Sequence, residues 1–108
     1  MKIIFMAVMA LLATVVLSAP GLAEKKTPIS GEALFTEHCS PCHQDGGNII
    51  NPEKTLRKAD LVAHGITGKA DIVDKMRHPG KGMTNWSAAT LPDEDAEAIA
   101  DYIIRTFK

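Results

Sequence analysis

The sequence predicts an all-α domain of about four short helices, on three observations. Apolar residues recur at three- and four-residue spacing, as in Ile72, Val73 and Met76 or Ala96, Ile99, Ala100 and Ile103. Turn-forming residues cluster between those stretches, at Asp45-Gly46-Gly47-Asn48, Asn51-Pro52 and Pro79-Gly80-Lys81-Gly82. No segment alternates apolar and polar residues as a half-buried strand would.

The N-terminus comes first. Lys2 supplies a positive start, and Ile3 to Leu17 is an apolar run interrupted only by Thr14. Ser18 to Ala23 then offers small residues, with Gly21 and Ala23 as a small-x-small pair before a cut after Ala23. Residues 1–23 therefore predict a secretory signal peptide, since a membrane span needs roughly 20 apolar residues. No cysteine lies near the cut, so no lipid anchor is expected. Residues 24–108 remain as a single small domain, whose thin core calls for a staple. That part carries eleven basic and thirteen acidic side chains, a net of −2 that gives no basis for nucleic-acid binding.

Ser30 is a fitting N-cap for a first helix over Gly31–His38. That helix runs into Cys39-Ser40-Pro41-Cys42-His43, with Pro41 read as a turn that ends it. A second helix is expected over Pro52–Ala63 with Leu56, Leu61 and Val62 inward, and a third over Lys69–Arg77. Pro92 suits the first position of the last helix, and Asp93, Glu94 and Asp95 favour its N-terminal dipole. Its apolar side carries Ala96, Ile99, Ala100, Ile103 and Ile104, while Arg105 and Lys108 suit its C-terminal end.

The pentapeptide 39–43 has the pattern C-x-x-C-H, the attachment signature of a c-type haem. Two thiols can add across the two vinyl groups of a haem, and the adjacent His43 can ligate iron from the proximal side. A finger-type zinc site would need distant ligands, because no histidine follows within four residues of His43. A thioredoxin-type dithiol would follow a strand in a βαβ unit, which is missing here. A Cys39–Cys42 disulfide would close a very short loop and stabilise little. A covalently held haem, one per chain, would supply the missing core.

On these residues the chain resembles the class I monohaem c-type cytochromes. The likeness is to their short bacterial and algal soluble type, including periplasmic and outer-surface relatives from metal-reducing bacteria. Gly31 and Phe35 match that family's crossing pair on the first helix, and Ile99 and Tyr102 their partners on the last. Gly46-Gly47 through Pro52-Glu53-Lys54-Thr55-Leu56 is similar to its proximal loop, and Gly80-Lys81-Gly82-Met83 to its distal-ligand loop. The family places Pro after that methionine, whereas this chain has Thr84, a departure that loosens the loop.

The resemblance implies a class I cytochrome c fold with crossing N- and C-terminal helices and a His43/Met83 six-coordinate iron. Met76, at helical spacing from Ile72, reads as core. His78 competes as distal ligand from its place five residues before Met83, and His38 and His64 read as surface residues. The Asn51-Pro52 region is the expected carbonyl partner of the His43 ring. Lys54 is the first choice at a haem propionate, Leu56 belongs to the proximal loop, and Trp86 is expected at the haem edge.

A saturated iron passes single electrons and has no substrate site, so a soluble periplasmic carrier is expected, not an enzyme. Its partners would be other redox proteins, with no stable membrane insertion after processing. The expected state is a monomer, or a weak dimer through the haem edge. Two other classes remain. One is a haem sensor or peroxidase-like enzyme with a labile distal ligand, whose four-helix pattern places the motif near the C-terminus. The other is a haem-free thiol or metal module. The stretch 51–86 carries seven basic and four acidic residues, and 87–108 two basic and five acidic. If Lys54, Lys75 and Lys81 ring the haem edge, an acidic partner surface is expected.

Overall fold

The computed structural model describes residues 29–108, so the signal-peptide expectation for 1–23 lies outside the described residues. Within them every regular element is helical: α1 (Gly31–His38), α2 (Ser40–His43), α3 (Lys58–Ala63), α4 (Lys69–Arg77) and α5 (Asp93–Thr106). A 3₁₀ turn over Gln44–Gly46 follows α2 directly.

The start of α1 follows the sequence reading. Ser30 is extended and its side-chain oxygen accepts from the Ala33 N–H at 3.1 Å, satisfying one donor of the first turn. Pro41 does not end the chain's helical path. The helix breaks at Cys39, and Pro41 sits in the first turn of α2, where its missing N–H costs nothing. The His43 N–H then donates to the Cys39 carbonyl at 2.8 Å, winding the two cysteines and the histidine into one turn.

The expected helix over Pro52–Ala63 is shorter, beginning only at Lys58. Competing hydrogen bonds explain the loss. The Asn48 side-chain oxygen accepts from the Ile50 and Asn51 N–H groups at 3.0 and 2.9 Å, and its amide donates to the Lys54 carbonyl at 3.0 Å. The Leu56 N–H donates to the Gly46 carbonyl at 2.7 Å. Residues 50–56 are thus pinned to the preceding loop and cannot wind. Val62, expected inward, is half exposed at 51%, as is Ile104 on α5 at 46%. Pro92 lies one residue before α5, in the extended cap position, and the three acidic residues fill the first turn as expected.

Helices α1 and α4 both pack on α5. The core is Leu34 and Phe35 from α1, Ile72 and Met76 from α4, Leu91, and Ala96, Ile99, Ala100 and Ile103 from α5. Gly31 makes the α1–α5 crossing possible: a Cβ there would lie 2.1 Å from the Ala98 carbonyl oxygen and 3.2 Å from the Tyr102 Cβ. One turn on, the Phe35 ring sits 5.2 Å from that of Tyr102 and 5.4 Å from Phe107, tilted in both cases. The N- and C-terminal helices therefore cross where the sequence placed them, with Ala98 joining the expected contacts.

Candidate functional site

A cavity of about 690 Å³ opens beside this crossing, within the roughly 300–1,000 Å³ typical of cofactor sites. Cys39, Cys42 and His43 line it from the α1–α2 junction, and Asn51, Lys54, Thr55 and Leu56 from the pinned loop. Asp60, Leu61 and His64 reach it from α3, Ile72, Lys75 and Met76 from α4, and Gly80–Thr84 with Trp86 from the loop after α4. The sequence thus scatters the lining from Phe35 to Ile103, and the fold brings it to one place.

The His43 ring is already aimed. Its Nδ1 lies 2.8 Å from the Gly47 carbonyl oxygen. A carbonyl only accepts, so Nδ1 carries the proton and Nε2 of the neutral ring keeps its lone pair for a metal. The acceptor was expected in the Asn51-Pro52 region, and the difference has a local cause. Asp45 and Gly46 adopt positive φ values of 55° and 78°, which folds the chain back so that the carbonyl four residues on meets the ring. Asn51 is half-buried and lines the cavity, whereas Pro52 is exposed and is not among the lining residues.

Both cysteines are half-buried, and no disulfide joins them. Before any thioether forms, burial pushes the Cys39 thiol up to about 11. Met83 reaches the wall through an unusual backbone: Gly82 has φ +88°, a left-handed conformation, and a Cβ there would meet Ile50 Cδ1 at 3.0 Å. Trp86 is half-buried at the rim, its ring 5.1 Å from His38 in an edge-on arrangement. Its backbone N–H donates to the Met76 carbonyl at 2.9 Å.

These donors fit a c-type haem. Two thiols, one imidazole nitrogen and one thioether are soft ligands and attachment points around a large, mainly apolar space, unlike the oxygen-rich sites of calcium or magnesium. Among the described residues no three His, Cys, Asp or Glu side chains gather in a metal-holding group. Met76 is buried at 4% exposure as part of the core and also touches the cavity.

Several lining residues escaped the sequence reading. His38 and the exposed His64 also line the cavity wall, and the His64 Nδ1 donates to the Asp60 carbonyl at 2.8 Å. Asp60 accepts from the Thr55 hydroxyl, joining α3 to the pinned loop. The helical spacing of Asp60, Leu61 and His64 was the available signal. His78 is not among the lining residues; it is exposed and pairs with Asp74 at 3.2 Å. Lys54, Lys75 and Lys81 all line the cavity, with Asp60 as the one lining carboxylate among the described residues.

The comparisons with known proteins agree with this geometry. A family model described as "Cytochrome C oxidase, cbb3-type, subunit III" matches residues 26–103. Cytochrome c6 of Bumilleriopsis filiformis is 37% identical over 75 residues, covering 69% of this chain and 86% of that protein. The structure of OmcF, outer membrane cytochrome F from Geobacter sulfurreducens, superposes with a TM-score of 0.72 at 40% identity, covering 73% of this chain and all of that one. Cytochrome c6C from Synechococcus sp. PCC 7002 gives a TM-score of 0.66 at 27% identity, over 71% of this chain and 93% of its own. Motif, cavity and relatives point the same way, and the chain belongs to the small monohaem class I c-type cytochromes.

Proposed function

We propose that this chain is a soluble, periplasmic carrier of single electrons, holding one covalent haem c through Cys39 and Cys42 with His43 and Met83 as iron ligands. The observation that carries the reading is the convergence of both thiols, a lone-pair-bearing imidazole and Met83 on one largely apolar cavity. The haem supplies reversible one-electron chemistry, with a potential raised by thioether ligation. The polypeptide holds it: the Gly47 carbonyl orients His43, Gly82 turns Met83 toward the cavity, and the α1–α5 crossing backs the site. The cytochrome c6 relatives support the carrier role, and no helix among the described residues is long and apolar enough to cross a membrane.

The partners are redox proteins. Lys54, Lys75 and Lys81 at the cavity favour an acidic docking surface and fast, salt-sensitive encounter over tight binding. A redox titration of the mature protein with its optical spectrum tests the whole reading. The expected result is one reversible one-electron step, haem that acid acetone does not extract, and the weak red-edge band of a thioether–iron(III) bond. Ready binding of external ligands without loss of any thioether would instead favour the sensor or peroxidase-like alternative.

A further inference from the structure

The clearest unassigned feature is Arg77, at the C-terminal end of α4. Its side chain is largely buried, at 17% exposure. Nη1 donates to two backbone carbonyls, Trp86 at 2.9 Å and Leu91 at 2.8 Å, and Nη2 meets Asp93 Oδ1 at 2.7 Å. One planar guanidinium thus ties the end of α4 to the loop after Met83 and to the start of α5. Asp93 sets the plane of the fork, and the two carbonyls occupy its donors.

The loop needs such a tie. Residues 79–92 contain no helix, and the sequence beside Met83 does nothing to stiffen it: Gly80 and Gly82 come before, Thr84 and Asn85 after. Three hydrogen bonds join the backbone of this loop to α4 among the described residues. One is Trp86 N–H to the Met76 carbonyl, and the other two come from Arg77. The Ser87–Thr90 bonds are local and fasten nothing to the scaffold. Trp86, gripped at both its N–H and its carbonyl, lies only three residues beyond Met83 and itself lines the cavity.

We infer that Arg77 is a positioning residue that holds the Met83 thioether on the iron, by clamping the Trp86 and Leu91 carbonyls against α4. The inference rests on Met83 being the distal ligand. Arg77 does not line the cavity, so it acts through the loop and not by contact with the haem. Losing the fork frees two carbonyls and lets the Met83 segment swing away more often, without altering the haem surroundings directly.

The test uses the ferric holoprotein and the rate at which added imidazole displaces the thioether, read as bleaching of the red-edge band. Arg77→Gln and Arg77→Lys should each raise that rate on the order of tenfold or more, as loss of a charge-assisted hydrogen bond implies. Lysine keeps the charge but not the two-carbonyl fork, so it should not rescue. Asp93→Asn should raise the rate by a smaller factor, since the carbonyl bonds remain. Ile99→Val, a core change in α5 at a residue that does not line the cavity, is the control for general destabilisation and should leave the rate unchanged. Unchanged exchange in Arg77→Lys, or equal acceleration in Ile99→Val, overturns the inference while Met83 ligation stands. A wild-type ferric spectrum without the band refutes Met83 ligation, and the inference with it.

Discussion

Replacing Gly31 by alanine adds one methyl group at the point where α1 and α5 come closest. That Cβ would sit 2.1 Å from the Ala98 carbonyl oxygen, 2.7 Å from its carbon and 3.2 Å from the Tyr102 Cβ. Ordinary contact begins near 3.4 Å, so the helices would have to part by about 1.3 Å. Both closest atoms are backbone, and no side-chain rotation relieves them. Parting the helices also pulls Phe35 from Tyr102 and Phe107 and loosens Ile99, which is fully buried. Overpacking of this kind costs about 1–3 kcal/mol. Alanine's better helix propensity, up to about 1 kcal/mol in a helix interior, offsets little at the first helical residue. A net loss of about 2 kcal/mol should lower Tm by roughly 8–16 °C in a domain of this size. Thermal unfolding of the holoprotein, followed by far-ultraviolet circular dichroism, measures it. Gly68→Ser is the matched control, because nothing lies within 4 Å of a Cβ there and serine suits that N-cap. If Gly31→Ala melts with the wild type while Gly68→Ser behaves as stated, the close-approach argument is refuted.

Further expectations concern the site and its surroundings. The Cys39→Ser, Cys42→Ser double variant should accumulate little holoprotein and fold poorly; a stable, colourless product would sink the haem reading. Met83→Ala should abolish the red-edge band and lower the potential. Met76→Ala should keep the band and lose about 2–5 kcal/mol as a buried-side-chain truncation. The opposite pattern reverses the ligand assignment, and loss of the band in His64→Ala would bring that cavity-lining imidazole into the ligand set. Reduction by an acidic redox protein should slow as salt rises over the range where the Debye length shortens to about 10 Å. Substituting Lys54, Lys75 and Lys81 with glutamate should remove that slope, and stopped-flow rates decide. Asp71 is held below its ordinary value of 3.8 because it accepts from the backbone N–H of Thr67, at 3.0 Å, and from its hydroxyl. A lowered value means the stabilisation is present above about pH 3.8 and fades as pH falls below it. Acid unfolding of Asp71→Asn should show a shallower dependence in that range.

The sequence alone determined the helices whose signals are local. Ser30 as N-cap, the acidic first turn of α5 and the 3.6-residue apolar spacing of α4 act within one or two turns, and α1 and α4 formed where those signals placed them. The attachment motif was legible for the same reason, since its three reactive side chains fall within five consecutive residues. The folded structure decided what depends on partners that no sequence period announces, whether a few residues off or far along the chain. Residues 52–57 have a reasonable helical pattern, but Asn48 and Gly46 claim the donors and acceptors of residues 50–56, and no period in the sequence announces that competition. The acceptor for His43 moved from the Asn51-Pro52 region to Gly47, because positive φ at Asp45 and Gly46 reverses the chain at once. His38, His64 and the three lysines acquired their places at the cavity only when α3, α4 and the Met83 loop closed around it. Side-chain direction at a helix end or in a loop is set by the backbone that packs against it, and that backbone comes from elsewhere in the chain.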